Sequence, residues 1–259
     1  MKIFEENRLK TIFHSPEKKV SIYFTAGYPA LIDTVKILKL LAESKVDFVE
    51  IGIPFSDSVM DGEVILDSHK VALENGMTIE ILFDQLEKIR EQVSIPIVLM
   101  GSMNPVYQYG FEKFCRRCNE VGVNGLLLPD LPLDDYENYY RVWYQQNDLA
   151  PIFMISPQTN DERIKRIDML GEGFLYALSG NSTTGGSSEI GKSSDYLKKL
   201  LNHKFINPVV LGFNIKTKAD IKFANQFADG AIVGSAFVKT LKGGFDKERI
   251  VHFLEELIE

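Results

Sequence analysis

The sequence predicts an α/β protein, a (β/α)8 barrel with an extra helix at its N-terminus. Three observations lead there. Eight short apolar runs alternate with segments of helical spacing, the 259 residues match the usual size of such a barrel, and no stretch of linker composition divides the chain. Residues 1–259 therefore read as one domain.

The apolar runs cover 20–25, 48–53, 95–100, 125–129, 151–155, 174–178, 208–212 and 230–233. Most are apolar on both faces, as strands buried on both sides must be. Between them, Val35, Leu38 and Leu41 share one helical face of 32–42, and Leu82, Phe83, Leu86 and Ile89 one face of 79–89. Similar spacing recurs over 111–120, 136–146, 161–170, 194–201, 218–227 and 247–258, and an amphipathic start covers 3–13. The rival architecture, an open doubly wound sheet, lacks its G-x-G-x-x-G after the first strand. The widest gap, between the second and third runs, must hold an extra loop or helix. The next widest contains 179–188, a run of Ser, Thr, Gly and Asn whose composition suits a mobile lid.

Composition excludes several function classes. Lys plus Arg is 29 against 36 Asp plus Glu, a net charge of −7, so there is no electrostatic footprint for nucleic acid or anionic membrane. No apolar run approaches the ~20 residues of a membrane helix. The first seven residues carry charge where a signal peptide needs an apolar core, and two cysteines cannot staple so long a chain. A cytoplasmic protein is expected. Cys115-Arg116-Arg117-Cys118 has metal-like spacing but no second pair, and it sits in a helical pattern with Phe111 and Phe114, so no metal site is expected. The histidines, His14, His69, His203 and His252, lie outside the strand ends and receive no role.

In a (β/α)8 barrel the chemistry sits where the strands end. The second strand reads Asp47-Phe48-Val49-Glu50-Ile51-Gly52-Ile53-Pro54-Phe55. Alternation sends Val49, Ile51 and Ile53 toward the helices, and Phe48, Glu50 and Gly52 into the barrel. A carboxyl is thus placed in an apolar interior near the mouth, where burial raises its pKa toward neutrality and suits it to proton transfer. The loop that follows carries Asp57, Asp61 and Glu63, each of which reads alone as a solvated turn residue. Asp130 ends the fourth strand, either as a site residue or as a cap. The last two strands end in Leu211-Gly212-Phe213-Asn214 and Val233-Gly234-Ser235-Ala236, and Thr184-Gly185-Gly186 lies in the preceding loop. Together these supply a cup of backbone N–H groups for a phosphate.

Five stretches resemble the α subunits of tryptophan synthase. They are Tyr23-Phe24-Thr25-Ala26-Gly27-Tyr28-Pro29, then Glu50-Ile51-Gly52-Ile53-Pro54-Phe55-Ser56-Asp57 with Asp61-Gly62, then Pro96-Ile97-Val98-Leu99-Met100-Gly101 with Asn104-Pro105, then Leu128-Pro129-Asp130-Leu131-Pro132, and last Val209 to Phe213 with Val233-Gly234-Ser235-Ala236. They run in the family's order over nearly the whole chain. The resemblance implies a carbon–carbon lyase that splits indole-3-glycerol phosphate into indole and glyceraldehyde 3-phosphate. It implies no cofactor or metal in this chain, and a pyridoxal-phosphate β subunit as partner in an α2β2 assembly.

By the same resemblance Glu50 is the general acid/base and Asp61 the carboxylate that receives the indole N–H. Tyr23, Met100, Leu127, Tyr176 and Phe213 fall at indole-pocket positions. Thr184 and Gly185 match the lid, and Gly234 and Ser235 the phosphate cup, to which the Asn214 N–H is added. Asp57, Asn104 and Pro105 lie where a β subunit would dock. The chain departs from the family pattern at Ser58, Val59-Met60, Glu63, Gly180, Asn181-Ser182-Thr183 and Asn214. Asn tolerates left-handed backbone, so Asn214 keeps its N–H available where the family has glycine. Two other readings remain, an interaction subunit that cleaves poorly and a different phosphate-binding barrel such as an isomerase.

Overall fold

A computed structural model describes residues 7–179 and 194–258. Eight parallel strands close into a barrel in sequence order. They are β1 (Lys19–Thr25), β2 (Phe48–Gly52), β3 (Ile97–Met100), β4 (Gly125–Leu127), β5 (Ala150–Ile155), β6 (Leu175–Leu178), β7 (Val209–Gly212) and β8 (Gly230–Val233). Each coincides with one of the eight apolar runs to within a few residues.

The helices are α1 (Arg8–Thr11), α2 (Asp33–Ala42), α3 (Glu63–Glu74), α4 (Ile79–Ile89), α5 (Met103–Tyr109), α6 (Phe111–Glu120), α7 (Leu133–Asp135), α8 (Arg141–Gln146), α9 (Asp161–Leu170), α10 (Ser194–Asn202), α11 (Lys218–Ala224), α12 (Ser235–Thr240) and α13 (Lys247–Ile258). Side-chain caps fix several starts. Thr78 accepts from the Ile81 N–H and Asn160 from the Arg163 N–H, while Thr217 and Asp220 form a reciprocal capping box. The widest gap between strands, from β2 to β3, holds α3 in addition to α4. The segment expected as one helix over 136–146 instead starts with a π-helical stretch at Tyr136–Tyr140 before α8. There Tyr136 packs edge-on to Tyr144 and Phe153, with ring centroids 5.2 and 4.9 Å apart.

Two apolar layers hold the fold. The outer one lies between strands and helices and includes Val49, Ile51 and Ile53, as the alternation requires. The inner one fills the barrel with Tyr23, Phe48, Val98, Met100, Leu127, Ile152, Phe174, Tyr176, Val210 and Ile232. The N-terminal segment closes the bottom. Asn7 caps α1 and donates to the Asn124 and Asp148 carbonyls at 2.8 and 2.6 Å. Phe13 stands against Phe48 and Phe174, each 6.1 Å away. With the bottom plugged among the described residues, the C-terminal mouth is where the barrel opens to a pocket. No helix among the described residues is long and apolar enough to cross a membrane.

Candidate active site

A pocket of about 460 Å³ opens at that mouth. Its wall comprises Tyr23 from β1, Glu50 from β2, Met100 from β3, Tyr176 from β6 and Ile232 from β8, with Asp61, Ile65, Phe213, Asn214, Ile215, Gly234 and Ser235 from the loops and helix starts above them. Nine residues singled out in the sequence therefore share one cavity. Ile65, Ile215 and Ile232 complete it and had not been singled out. Leu127 is fully buried in the inner layer, paired in register with Met100 and Ile152, and it is not among the side chains that line the cavity. Thr184 and Gly185, with all of the 179–188 segment beyond Ser179, lie outside the described residues.

Glu50 stands inside the barrel, 1% exposed, in register with Tyr23 on one side and Val98 on the other. No ion pair reaches it among the described residues, and its Oε1 has no hydrogen-bond partner. The buried lysine nearest in kind, Lys19, opens β1 at the opposite end and pairs with Asp47 at 3.8 Å. Among the described residues nothing is placed to stabilise a charge on Glu50, and burial pushes its pKa up to about 8. At neutral pH it is a protonated acid.

Asp61 is half-buried across the same pocket, one residue before Gly62, the N-cap of α3. The Ser58 hydroxyl donates to its Oδ2 at 2.6 Å. Ser58 thus has a definite structural role at a position where the family pattern departs. Two carboxyl groups thus share one cavity, Glu50 enclosed by apolar walls and Asp61 reached by a hydroxyl and by solvent.

The aromatic walls depend on missing side chains. A Cβ on Gly52 would stand 2.1 Å from the Tyr23 phenol oxygen, and one on Gly212 would stand 2.1 Å from that of Tyr176. Both rings remain protonated, since burial raises both pKa values well above the usual value. Tyr176 meets Phe213 edge-on, centroids 6.1 Å apart. Gly212→Ala is expected to expel the Tyr176 ring into the pocket, raising the Michaelis constant for the pocket's substrate at least tenfold. An unchanged constant would show that the wall tolerates the methyl.

The glycine-rich ends of β7 and β8 also meet there. Phe213 and Asn214 both take left-handed backbone, with φ of 67° and 59°. The Ser179 hydroxyl anchors this bend by donating to the Phe213 carbonyl. Asn accepts such backbone readily whereas a bulky aromatic rarely does, so the strain sits at Phe213, where the ring completes the pocket wall. Gly234 N-caps α12, whose first N–H groups lack helical acceptors.

Several candidates resolve differently. Both oxygens of Asp130 accept from the Met103 N–H at 2.8 and 2.9 Å, so Asp130 caps the start of α5. Cys115 and Cys118 are buried free thiols on α6, and no group of three or more His, Cys, Asp or Glu side chains among the described residues is placed to hold a metal. Asp57 and Asn104 are exposed on the loop after β2 and on α5, with Pro105 partly exposed beside Asn104. His69, given no role in the sequence, is 4% exposed and stands behind Tyr23 with Nε2 3.2 Å from the phenol oxygen. Its signal was hidden because α3 had not been placed, so the inward side of that helix could not be read.

A closed (β/α)8 barrel with a neutral buried acid and a second carboxylate at its mouth defines a barrel enzyme of acid–base chemistry. Comparison with known proteins narrows the class. The family model for the tryptophan synthase alpha chain matches residues 10–258. The alpha chain of Flavobacterium psychrophilum is 46% identical over 236 residues, covering 91% of this chain and 93% of the relative. That of Bacteroides thetaiotaomicron is 42% identical over 255 residues, covering 98% and 100%. Among solved structures, Mycobacterium tuberculosis tryptophan synthase superposes with a TM-score of 0.87 at 30% identity, covering 98% of this chain and 97% of that one. The alpha chain from Legionella pneumophila gives 0.85 at 30%, covering 98% and 96%. The chain belongs to the tryptophan synthase alpha chain family. It is a lyase of tryptophan biosynthesis that cleaves indole-3-glycerol phosphate to indole and glyceraldehyde 3-phosphate.

Proposed function

We propose that Glu50 and Asp61 divide this cleavage between them, and the observation that carries the reading is a buried, unpaired Glu50 facing the same cavity as Asp61. Indole is a poor carbon leaving group until its C3 is protonated. Glu50, neutral at pH 7, gives C3 that proton and leaves a cationic indolenine. The Asp61 carboxylate accepts the N1–H and stabilises the positive charge. Glu50, now ionised, removes the proton from the hydroxyl on the carbon attached to C3. The bond between that carbon and C3 breaks, its electron pair returns to the ring, and indole and the aldehyde separate. Glu50 ends the cycle protonated again. The protonated indole ring is itself the electron sink, so substrate, Glu50 and Asp61 account for every proton and electron pair in this step.

Tyr23, Met100, Tyr176 and Phe213 hold the indole, with Leu127 behind them. Backbone N–H groups at Asn214, Gly234 and Ser235 hold the phosphate. A Cβ at Gly234 would meet Tyr23 at ordinary contact distance, 3.6 Å, and Gly234→Val adds bulk at the helix start proposed to hold the phosphate. The Michaelis constant is then expected to rise more than turnover falls. Equal cleavage of indoleglycerol with and without its phosphate would remove the cup from the account.

The chain is proposed to act in the cytoplasm as one barrel domain within an α2β2 assembly. Its β subunit, carrying pyridoxal phosphate, is placed against Asp57, Asn104 and Pro105 and receives the indole. Indole release from indole-3-glycerol phosphate, measured with and without a β subunit, tests this directly. A several-fold rise on β addition is expected. No release in either case would refute the proposed function, and release unaffected by β would refute the coupling.

A further inference from the structure

A buried polar chain runs behind the pocket wall. His69 Nδ1 lies 3.3 Å from the Phe55 carbonyl oxygen and 3.5 Å from the Phe55 nitrogen. Its Nε2 lies 3.2 Å from the Tyr23 phenol oxygen, which is 3.4 Å from Thr25 Oγ1. Thr25 Oγ1 is 2.6 Å from Ser68 Oγ, and Ser68 donates to the Ile65 carbonyl at 2.7 Å. Since the Ser68 proton goes to Ile65, Thr25 must donate to Ser68, and Tyr23 must then donate to Thr25. One proton order satisfies the chain, in which Nε2–H donates to Tyr23 and the Phe55 N–H donates to Nδ1. It requires a neutral imidazole, with one donor and one acceptor nitrogen. Burial lowers the His69 pKa against the opposing pull of the Asp61 charge, which favours that form.

This arrangement ties together parts that local sequence leaves loose. The loop 53–62 leaves β2, carries Asp61 and ends at Gly62, where α3 starts. His69 lies on α3, and by holding Phe55 it closes the loop onto the helix that follows it. The loop is also tied within itself by the Ser58–Asp61 bond. The second ring nitrogen fixes this unit to Tyr23, the residue in register with Glu50.

We propose that His69 is a positioning residue of the cleavage site, tying the root of the Asp61 loop to the Tyr23 wall and so setting where the Asp61 carboxylate stands relative to Glu50. This rests on the assignment of Asp61 above.

The test measures kcat and KM for indole release in His69→Leu, His69→Asn and His69→Gln, each alone and in the Asp61→Asn background, together with melting temperatures. An asparagine amide reaches the Nδ1 position and keeps the Phe55 tie. A glutamine amide reaches the Nε2 position and keeps only the Tyr23 tie. A shift of about 1 Å in a catalytic group costs up to about 10²-fold. His69→Leu is therefore expected to lower kcat at least tenfold, with KM within about threefold. His69→Asn is expected to recover most of that loss and His69→Gln less. In the Asp61→Asn background, His69→Leu is expected to cost less than twofold, because its route of action is already gone.

Full additivity of the two substitutions, or a loss in His69→Asn as large as in His69→Gln, overturns the proposal. So does full turnover in His69→Leu. Should His69→Leu not fold, the Asn and Gln variants decide. An Asp61→Asn enzyme with near wild-type turnover is a different result. It overturns the assignment of Asp61, and the role of His69 with it.

Discussion

Glu50→Gln is expected to lower cleavage by at least 10²-fold, within the ~10²–10⁴-fold that a general acid–base group supplies. Glutamine keeps the shape but has no proton to give to indole C3 and cannot remove one later. The same change is expected to stabilise the protein. Glu50 ionises near its ordinary value of 4.5 when the chain is unfolded and at about 8 when folded. Between those values the folded state binds more protons than the unfolded one, so stability falls as pH rises from 4.5 to 8. At pH 7 this costs about 3 kcal/mol at most, at about 1.4 kcal/mol per pH unit. Glutamine does not ionise and removes that cost. Its melting temperature is expected to exceed wild type by roughly 5 °C at pH 7, with the advantage gone below pH ~4.5. Thermal melts at pH 4 and pH 7 check the difference. An active, unstabilised variant would contradict both halves of the assignment.

Asp61→Asn is expected to lose turnover on a similar scale, ~10²–10⁴-fold, by a different route. The amide still accepts from Ser58 and still fits the loop, so the fold and melting temperature are expected to hold. What disappears is the negative charge opposite the indolenine nitrogen, in a cavity with apolar walls where charge interactions are weakly screened. Because that charge matters most once C3 is protonated, kcat is expected to fall more than KM rises. Single-turnover cleavage by Asp61→Asn within a few-fold of wild type would reject the role.

Both predictions depend on how residues far apart in the chain come together, and that was legible unevenly. The strands were plain because both of their faces are buried, which forces nearly continuous apolar runs. The direction of Glu50 followed from period-two alternation within β2 alone. Helix α3 was harder to read because its buried positions include Ser68 and His69 beside Ile65 and Ala72, which breaks the apolar stripe. With α3 unassigned, neither the Ile65 wall nor the His69 network could be found. The short helices α5 and α12 span seven and six residues, too few to reveal a period, though Gly234 and Ser235 at the start of α12 stand out by their strand end and line the pocket. Asp130 was ambiguous because a strand-end carboxylate serves equally as ligand or cap, and only its contact with the Met103 N–H distinguishes them. Residue identity alone did not separate Leu127, buried in the inner layer, from Met100 on the cavity wall.

The central claim is that the barrel holds Glu50 as an uncharged acid at neutral pH, and it can be measured without substrate. Infrared difference spectra of wild type minus Glu50→Gln, recorded across the pH range, isolate the carbonyl band of the protonated Glu50 carboxyl. The account predicts a band present at pH 7 that disappears with a midpoint near the folded pKa of about 8. A band lost near the ordinary value of 4.5 would mean that Glu50 is ionised at pH 7 and has no proton to give the indole.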